Sequence, residues 1–139
     1  MNTFFALLSV YLMLLHPVFY PVTTQQVMDF LAQDKTDLRE YDKASYVCAD
    51  FAHDLVNNAA LAHIKAWEVV IYFHHAIGHV IVAFQTNDNG VIYIEPQSDA
   101  TYPFIQAGFP ACAANFCPGG PEYVRKVVNQ AFPGNTGSR

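Results

Sequence analysis

Basic residues are scarce in this chain, and they are almost missing from its middle. Lys and Arg together number 7 against 12 Asp and Glu, which gives a formal net charge of -5 at pH 7 over 139 residues. Between Ala44 and Val124 the only Lys or Arg is Lys65. A nucleic-acid-binding surface needs a stripe of such side chains to neutralise phosphates. The sequence therefore predicts no nucleic-acid partner.

The sequence also lacks an apolar run long enough to cross a membrane as a helix. The run from Phe4 to Leu15 falls short of the ~20 residues that a spanning helix needs, and Pro17 and Pro21 break its extension. A run of this length is typical of a signal-peptide core or a short anchor. We therefore expect residues 1–22 to direct the protein to the cell envelope or the extracellular space. A buried N-terminal helix and a truncated upstream region are the alternatives, because no Lys or Arg precedes the run.

Cysteine is sparse too, with three residues, an odd number. Cys112 and Cys117 lie close together in the segment CAANFCPGG, whose proline and two glycines allow it to close a small loop. In an exported protein this arrangement predicts one disulfide and leaves Cys48 as a free thiol. The alternative is three reduced cysteines in a cytosolic protein.

The residues that are abundant predict one folded domain. Hydrophobic residues make up 53% of the chain, and its length is too short for two ordinary domains. We assign residues 23–132 to this domain and residues 133–139 to a disordered tail. Periodicity predicts helices in TTQQVMDFLAQD, in SYVCADFAHDLVNNAALA and in EYVRKVVNQAF, and strands in AWEVVIYF, HVIVAFQ and GVIYIEP. This order predicts an α+β fold in which a helix packs on a small antiparallel sheet.

Cys48 is placed by this periodicity in the first turn of the second predicted helix, on its apolar side. Unpaired backbone N–H groups and the positive end of the helix dipole lie there, and both lower the pKa of a thiol. Cys48 is therefore a candidate nucleophile. The alternative is a packing role, since a lone cysteine on an apolar helix face usually behaves as a small hydrophobic residue.

His79 begins a predicted strand and is the candidate base. An antiparallel hairpin that turns within TNDNG places His79 opposite Glu95 on one face, within reach of a hydrogen bond between imidazole and carboxylate. A carboxylate in this position orients a general base. Asp99 fits almost as well, because its midpoint with His79 falls in the same turn. Periodicity leaves both acids open, and a purely structural histidine is the alternative to a base.

The histidines of HHAIGH also suggest a metal site. His75 and His79 share a face of an extended strand, but four residues span ~13 Å, too far for one ion unless the chain bends at Gly78. We therefore expect no metal and no other cofactor.

Two segments together resemble the compact prokaryotic members of the transglutaminase-like cysteine protease superfamily. YVCADFAHDLVNNAALAHIKA matches a CxDFA helix, and GHVIVAFQTNDNGVIYIEPQSD matches a GH strand followed by an acid after YI. The resemblance covers residues 24–99. It implies a papain-like, transglutaminase-like fold with the nucleophile helix packed on the sheet. It also implies roles for Cys48 as nucleophile, His79 as base and Glu95 as the orienting acid, where the family more often has Asp.

The function that this resemblance implies is thiol-dependent acyl transfer or hydrolysis of an amide, as in a peptidase, an amidase or a transglutaminase. Its partner would be a protein, peptide or small amide substrate. The backbone N–H of Cys48 and one upstream donor, for which Tyr46 is a candidate, would hold the oxyanion. Related proteins that have lost catalysis act as binding modules, so an inactive scaffold at the cell envelope is the alternative. The sequence does not predict the oligomeric state.

Overall fold

Two helices and a five-stranded antiparallel sheet form the part of the chain that the computed structural model describes, residues 18–74, 78–102, 105–108 and 124–129. In chain order the elements are α1 (Thr24–Leu31), a 3-10 turn (Thr36–Leu38), α2 (Cys48–Leu61), β1 (Ala66–Phe73), β2 (His79–Gln85), β3 (Val91–Ile94), β4 (Thr101–Tyr102) and β5 (Val124–Asn129). Most of the expected anchor segment, the expected disulfide and the expected tail lie outside the described residues. Within them, no helix has the length and apolar character that crossing a membrane requires.

Local hydrogen bonds define where both helices begin. In α1, Thr23 and Gln26 form a reciprocal capping box, each side chain accepting the other residue's backbone N–H at 3.2 and 2.8 Å. Helix α2 begins at Cys48, and the Asp50 carboxylate accepts the N–H of Val47 at 2.8 Å. The acid also lies at the positive end of the helix dipole, which favours it. The predicted position of Cys48 in the first turn of a helix is therefore confirmed.

The strand order across the sheet is β4-β3-β2-β1-β5, and every neighbouring pair is antiparallel. In the β2–β3 hairpin Gln85 pairs with Val91, so the turn is centred on Asp88, within the predicted TNDNG. His79 and Glu95 would lie directly opposite each other only in a hairpin centred on residue 87. They are instead diagonal neighbours, and an offset of two residues keeps side chains on the same face of a sheet.

Strand β5 corrects one secondary-structure prediction, because EYVRKVVNQAF was expected to form a helix. Residues Val124–Asn129 form a strand that pairs with β1, with Val70 opposite Val128. β-Branched residues suit a strand, and the edge of β1 offers backbone hydrogen-bonding groups that a partner strand satisfies. Long-range pairing has outweighed the weak local helical pattern.

A hydrophobic cluster fills the space between the helices and one face of the sheet. Val82 and Phe84 of β2 point to this face because side chains alternate along a strand, and Leu55 of α2 packs in the same cluster. The buried members are Val22, Val27, Leu31, Ala52, Leu55, Val56, Ala59, Ile64, Ala66, Val82, Phe84 and Ile94.

A second cluster covers the opposite face of the sheet, where Ile81 and Ala83 of β2 point. Its buried members are Val69, Ile71, Phe73, Ile81, Ala83, Tyr93 and Ile105. Strand β2 is thus packed on both faces, which makes its first residue, His79, a well-supported position for a functional side chain.

Candidate active site

Cys48 and His79 meet where the start of α2 approaches the start of β2. A hydrogen bond to the His79 side chain is the main reason that the pKa of the Cys48 thiol lies below its ordinary value. Burial of the sulfur opposes this shift, and the backbone N–H groups of Val80 and Ala49 add to it. The thiolate is the nucleophilic form of cysteine, so these contacts favour the reactive form.

Glu95 holds the other side of the imidazole. Its Oε2 lies 2.7 Å from Nε2 of His79, and the two side chains are only 10% and 16% exposed. Because Nε2 is engaged with Glu95, Nδ1 is the nitrogen left for Cys48. Burial lowers the pKa of His79, but the hydrogen bonds to Cys48 and Glu95 outweigh it and raise the pKa to about 9. The imidazolium of His79 is therefore kept through neutral pH beside a thiol whose pKa lies below its ordinary value.

The Glu95 carboxylate has hydrogen-bond donors on both of its oxygens. Oε2 also accepts the hydroxyl of Tyr102 at 2.6 Å, and Oε1 accepts the backbone N–H and the side-chain amide of Gln97 at 3.2 and 3.4 Å. Burial raises the pKa of Glu95, but the hydrogen bonds from His79, Tyr102 and Gln97 outweigh it, so the net shift is downward. Glu95 is thus held ionised in a buried position.

Asp99, the other acid that periodicity left open, lies in a different environment. A turn follows β3, in which the N–H of Asp99 donates to the carbonyl of Glu95 at 2.9 Å and Asp99 adopts a left-handed φ of 57°. Burial and the charges of Asp37 and Asp34 raise the pKa of Asp99 to about 6. Strand periodicity does not continue through this turn, which is why it could not decide between the two acids. The structure places Glu95 against His79.

Tyr46, the candidate oxyanion donor, is engaged elsewhere. Its hydroxyl donates to Asp54 at 2.6 Å and accepts from Arg39 at 3.1 Å, and the Arg39 guanidinium lies 4.1 Å from the centre of the Tyr46 ring. These contacts brace the segment that leads into Cys48. The backbone N–H of Cys48 remains the candidate donor.

The sequence analysis missed Tyr102 and Gln97 as partners of Glu95. Both follow the last predicted strand, GVIYIEP, and the short pairing of β4 with β3 brings Tyr102 back towards the site. A tyrosine seven residues after the acid carries no periodic pattern that would have revealed the contact. Among the residues that the structure describes, no group of three or more His, Cys, Asp or Glu side chains could hold a metal ion.

Gly78 leaves no room for a side chain immediately before His79. A Cβ at this position would lie 2.9 Å from the backbone oxygen of Ile71, the residue that pairs with His79. We expect Gly78→Ala to move the start of β2 and to lower the free energy of unfolding by about 1–3 kcal/mol, as denaturant titration would measure. We also expect slower alkylation of Cys48 at neutral pH, because the displaced imidazole no longer supports the thiolate.

The control for this substitution is Gly90→Ala in the β2–β3 turn. Gly90 has a φ of +69°, and a Cβ added there would meet no atom within 4 Å, so alanine at this position strains the backbone without touching the site. Both variants should lose stability, but only Gly78→Ala should slow the alkylation of Cys48. Unchanged alkylation in Gly78→Ala would show that Gly78 does not position His79.

The described fold resembles solved structures that include a lectin. Polyporus squamosus lectin, bound to the human-type influenza-binding epitope Neu5Acα2-6Galβ1-4GlcNAc, aligns with a TM-score of 0.52 and 13% identity over 78% of this chain and 38% of the lectin chain. PSL1a in complex with E64 aligns with a TM-score of 0.49 and 15% identity over 60% of this chain and 34% of the other. This chain thus spans well under two thirds of either protein. No family model and no curated protein matches the sequence.

The predicted papain-like, transglutaminase-like fold class is therefore wrong. The observed antiparallel sheet with two helices shares its fold with part of a lectin chain, and the classification as a transglutaminase-like cysteine protease falls with the fold class. The physical reason is that short motifs report local elements, whereas strand order and the pairing of β5 with β1 are set by distant residues. The reaction is a separate matter, because chemistry depends on the site rather than on the fold.

Proposed function

We propose that this chain uses Cys48 as a nucleophile in acyl chemistry on an amide, with hydrolysis or transfer to an amine as the outcome. The observation that supports the proposal is the hydrogen-bonded series of Cys48, His79 and Glu95, in which Cys48 begins a helix. Its three groups have the chemistry of a nucleophile, a proton carrier and an orienting acid. The substrate class is a protein, peptide or small amide.

The first half of the proposed reaction forms a thioester. The Cys48 thiolate attacks the carbonyl carbon, and the carbonyl electrons move to the oxygen, where the Cys48 backbone N–H stabilises the negative charge. His79 then donates its Nδ1 proton to the nitrogen of the leaving amine as the carbon–nitrogen bond breaks. Glu95 keeps the imidazole oriented through Nε2 throughout.

The second half releases the acyl group. Water or a second amine loses a proton to the neutral His79 imidazole and attacks the thioester carbon. The carbon–sulfur bond breaks, and Cys48 leaves as the thiolate that its surroundings favour. The same groups therefore serve both steps, first as an acid and then as a base.

The proposal is tested with p-nitrophenyl acetate, an activated acyl donor that needs no specific binding pocket. We expect a burst of p-nitrophenolate equal to one equivalent of protein, an acetyl group on Cys48 by mass spectrometry, and faster release when an amine is added. Cys48→Ser and His79→Ala should lose the burst. Acylation of Cys48 no faster than in the urea-unfolded chain would contradict the proposal, and a positive result would justify a screen of amides.

A second candidate function is saccharide binding without catalysis, and it would fit the inactive-module alternative. The lectin that this fold resembles is bound to a sialylated epitope, and the alignment covers 38% of its chain. Titration of the purified protein with that trisaccharide in a calorimeter measures saccharide binding and so distinguishes the two candidate functions. Binding that survives Cys48→Ala, together with a failed acylation test, would favour the binding module.

A further inference from the structure

Tyr102 makes the shortest hydrogen bond to Glu95. Its hydroxyl lies 2.6 Å from Oε2, the same oxygen that lies 2.7 Å from Nε2 of His79. The bonds from Gln97 to the other oxygen are longer, at 3.2 and 3.4 Å. Short hydrogen bonds to a carboxylate are the stronger ones, so Tyr102 is the main restraint on Glu95 apart from His79 itself.

We propose that Tyr102 is a positioning residue that holds Oε2 of Glu95 against His79 and thereby maintains the Cys48–His79 pair. This inference rests on the proposed function, since it assigns a role within the same site. A glutamate side chain has three rotatable bonds, and a carboxylate bound only by His79 can rotate or withdraw. With Tyr102 on one oxygen and Gln97 on the other, the carboxylate has one orientation in which all donors are satisfied.

The short strand β4 is what brings Tyr102 to this point. The N–H of Glu95 donates to the carbonyl of Ala100 at 2.8 Å, and Tyr102 pairs with Tyr93 across β3 and β4. The chain therefore reverses directly after the acid and places a phenol beside it. Burial, followed by the hydrogen bond and the charge of Glu95, raises the pKa of Tyr102, so the hydroxyl keeps its proton and remains a donor wherever the site works.

The test compares Tyr102→Phe with Tyr93→Phe in the full chain. Both substitutions remove one hydroxyl from the edge region of the sheet, but the side-chain donors to the Glu95 carboxylate are His79, Gln97 and Tyr102. Two readouts are used: the titration of the His79 ring by NMR, and the pH profile of Cys48 alkylation by iodoacetamide. A purely structural tyrosine would move neither.

In Tyr102→Phe we expect the midpoint of the His79 titration to move from about 9 towards its ordinary 6.5. We also expect Cys48 alkylation at neutral pH to slow by about tenfold, because a rise of about one unit in the pKa of a thiol lowers its thiolate fraction about tenfold at a pH below that pKa. Tyr93→Phe should match the unmodified protein in both readouts. An unchanged profile in Tyr102→Phe, or a His79 midpoint that rises, would overturn the positioning role.

A second variant covers the case in which Tyr102→Phe is poorly folded. Gln97→Ala removes the side-chain donor to the other oxygen and leaves Tyr102 in place, so it should keep the His79 midpoint near 9 and the Cys48 alkylation profile unchanged. A His79 midpoint that moves towards 6.5 in Gln97→Ala would refute the dominant role of Tyr102. Failure of the proposed function would give a different result, because Cys48 would then titrate as an ordinary thiol even in the unmodified protein.

Discussion

Replacing His79 with alanine should slow the alkylation of Cys48 by iodoacetamide at a pH of about 6.5 by about tenfold to a hundredfold. The hydrogen bond from His79 is the main cause of the lowered Cys48 pKa, while burial of the sulfur acts in the opposite direction. Without the imidazole, only backbone N–H groups support the thiolate against burial. The alkylation midpoint should therefore rise, and mass spectrometry across a pH series measures it directly.

The matched control for this experiment is His53→Ala, on the same helix as Cys48. The His53 side chain is 67% exposed and lies 3.3 Å from Glu68, so its removal deletes a histidine without touching the thiol. Thermal unfolding of both variants checks that the fold is intact. If Cys48 is inert in the folded protein, or titrates identically in all three proteins, the thiol is a packing residue and the acyl chemistry is excluded.

The elements that bear the site could be predicted from the sequence because their patterns are local. The first turn of α2 follows from an apolar stripe that begins at Cys48, and the β2–β3 hairpin follows from two β-branched runs on either side of TNDNG. A hairpin connects residues that are close in the chain, so its turn defines which side chains can meet. The proximity of His79 and Glu95 could for this reason be inferred from the sequence alone.

The overall architecture could not be inferred in the same way. Strand β5 is separated from its partner β1 by about fifty residues of sequence, and no local sequence pattern indicates such a pairing. The predicted fold class relied on motifs from α2, β2 and β3 alone, which leave the arrangement of the remaining chain open. The same limit applied to Tyr102, whose contact with Glu95 depends on a turn and a strand of two residues.

The site consequently depends on a small part of the fold. Cys48 and His79 each begin an element, and Glu95 directly follows one, so all three lie at the ends of α2, β2 and β3. Element ends offer unsatisfied backbone groups and partial exposure, while the packed interior of the sheet keeps those ends in place. A nucleophile, a base and an acid can be brought together in this way on sheets of different strand order. The chemistry of such a site therefore does not depend on the fold class.

Replacing Glu95 with glutamine should move the titration midpoint of His79 from about 9 down towards 6.5. The raised pKa means that the imidazolium of the unmodified protein persists through neutral pH and is lost only as the pH rises through about 9. Glutamine keeps the size of the side chain but removes its charge, so the proton leaves at lower pH. NMR titration of the His79 ring measures this shift. Between the two midpoints p-nitrophenyl acetate should also acylate the variant about tenfold to a hundredfold more slowly, because a neutral His79 imidazole supports the Cys48 thiolate less than an imidazolium does.

Asp99→Asn is the control that decides which acid serves the site. The Asp99 side chain responds to burial and to Asp34 and Asp37 rather than to His79, and asparagine tolerates the left-handed φ of this position. We expect this variant to leave the His79 midpoint near 9 and the acylation rate unchanged. The reverse pattern, with Asp99→Asn shifting the midpoint and Glu95→Gln leaving it in place, would transfer the orienting role to Asp99. Glu95→Gln and Asp99→Asn each remove a negative charge and keep the size of the side chain. A shift of the His79 midpoint in Glu95→Gln alone would therefore show that His79 depends on the charge of Glu95.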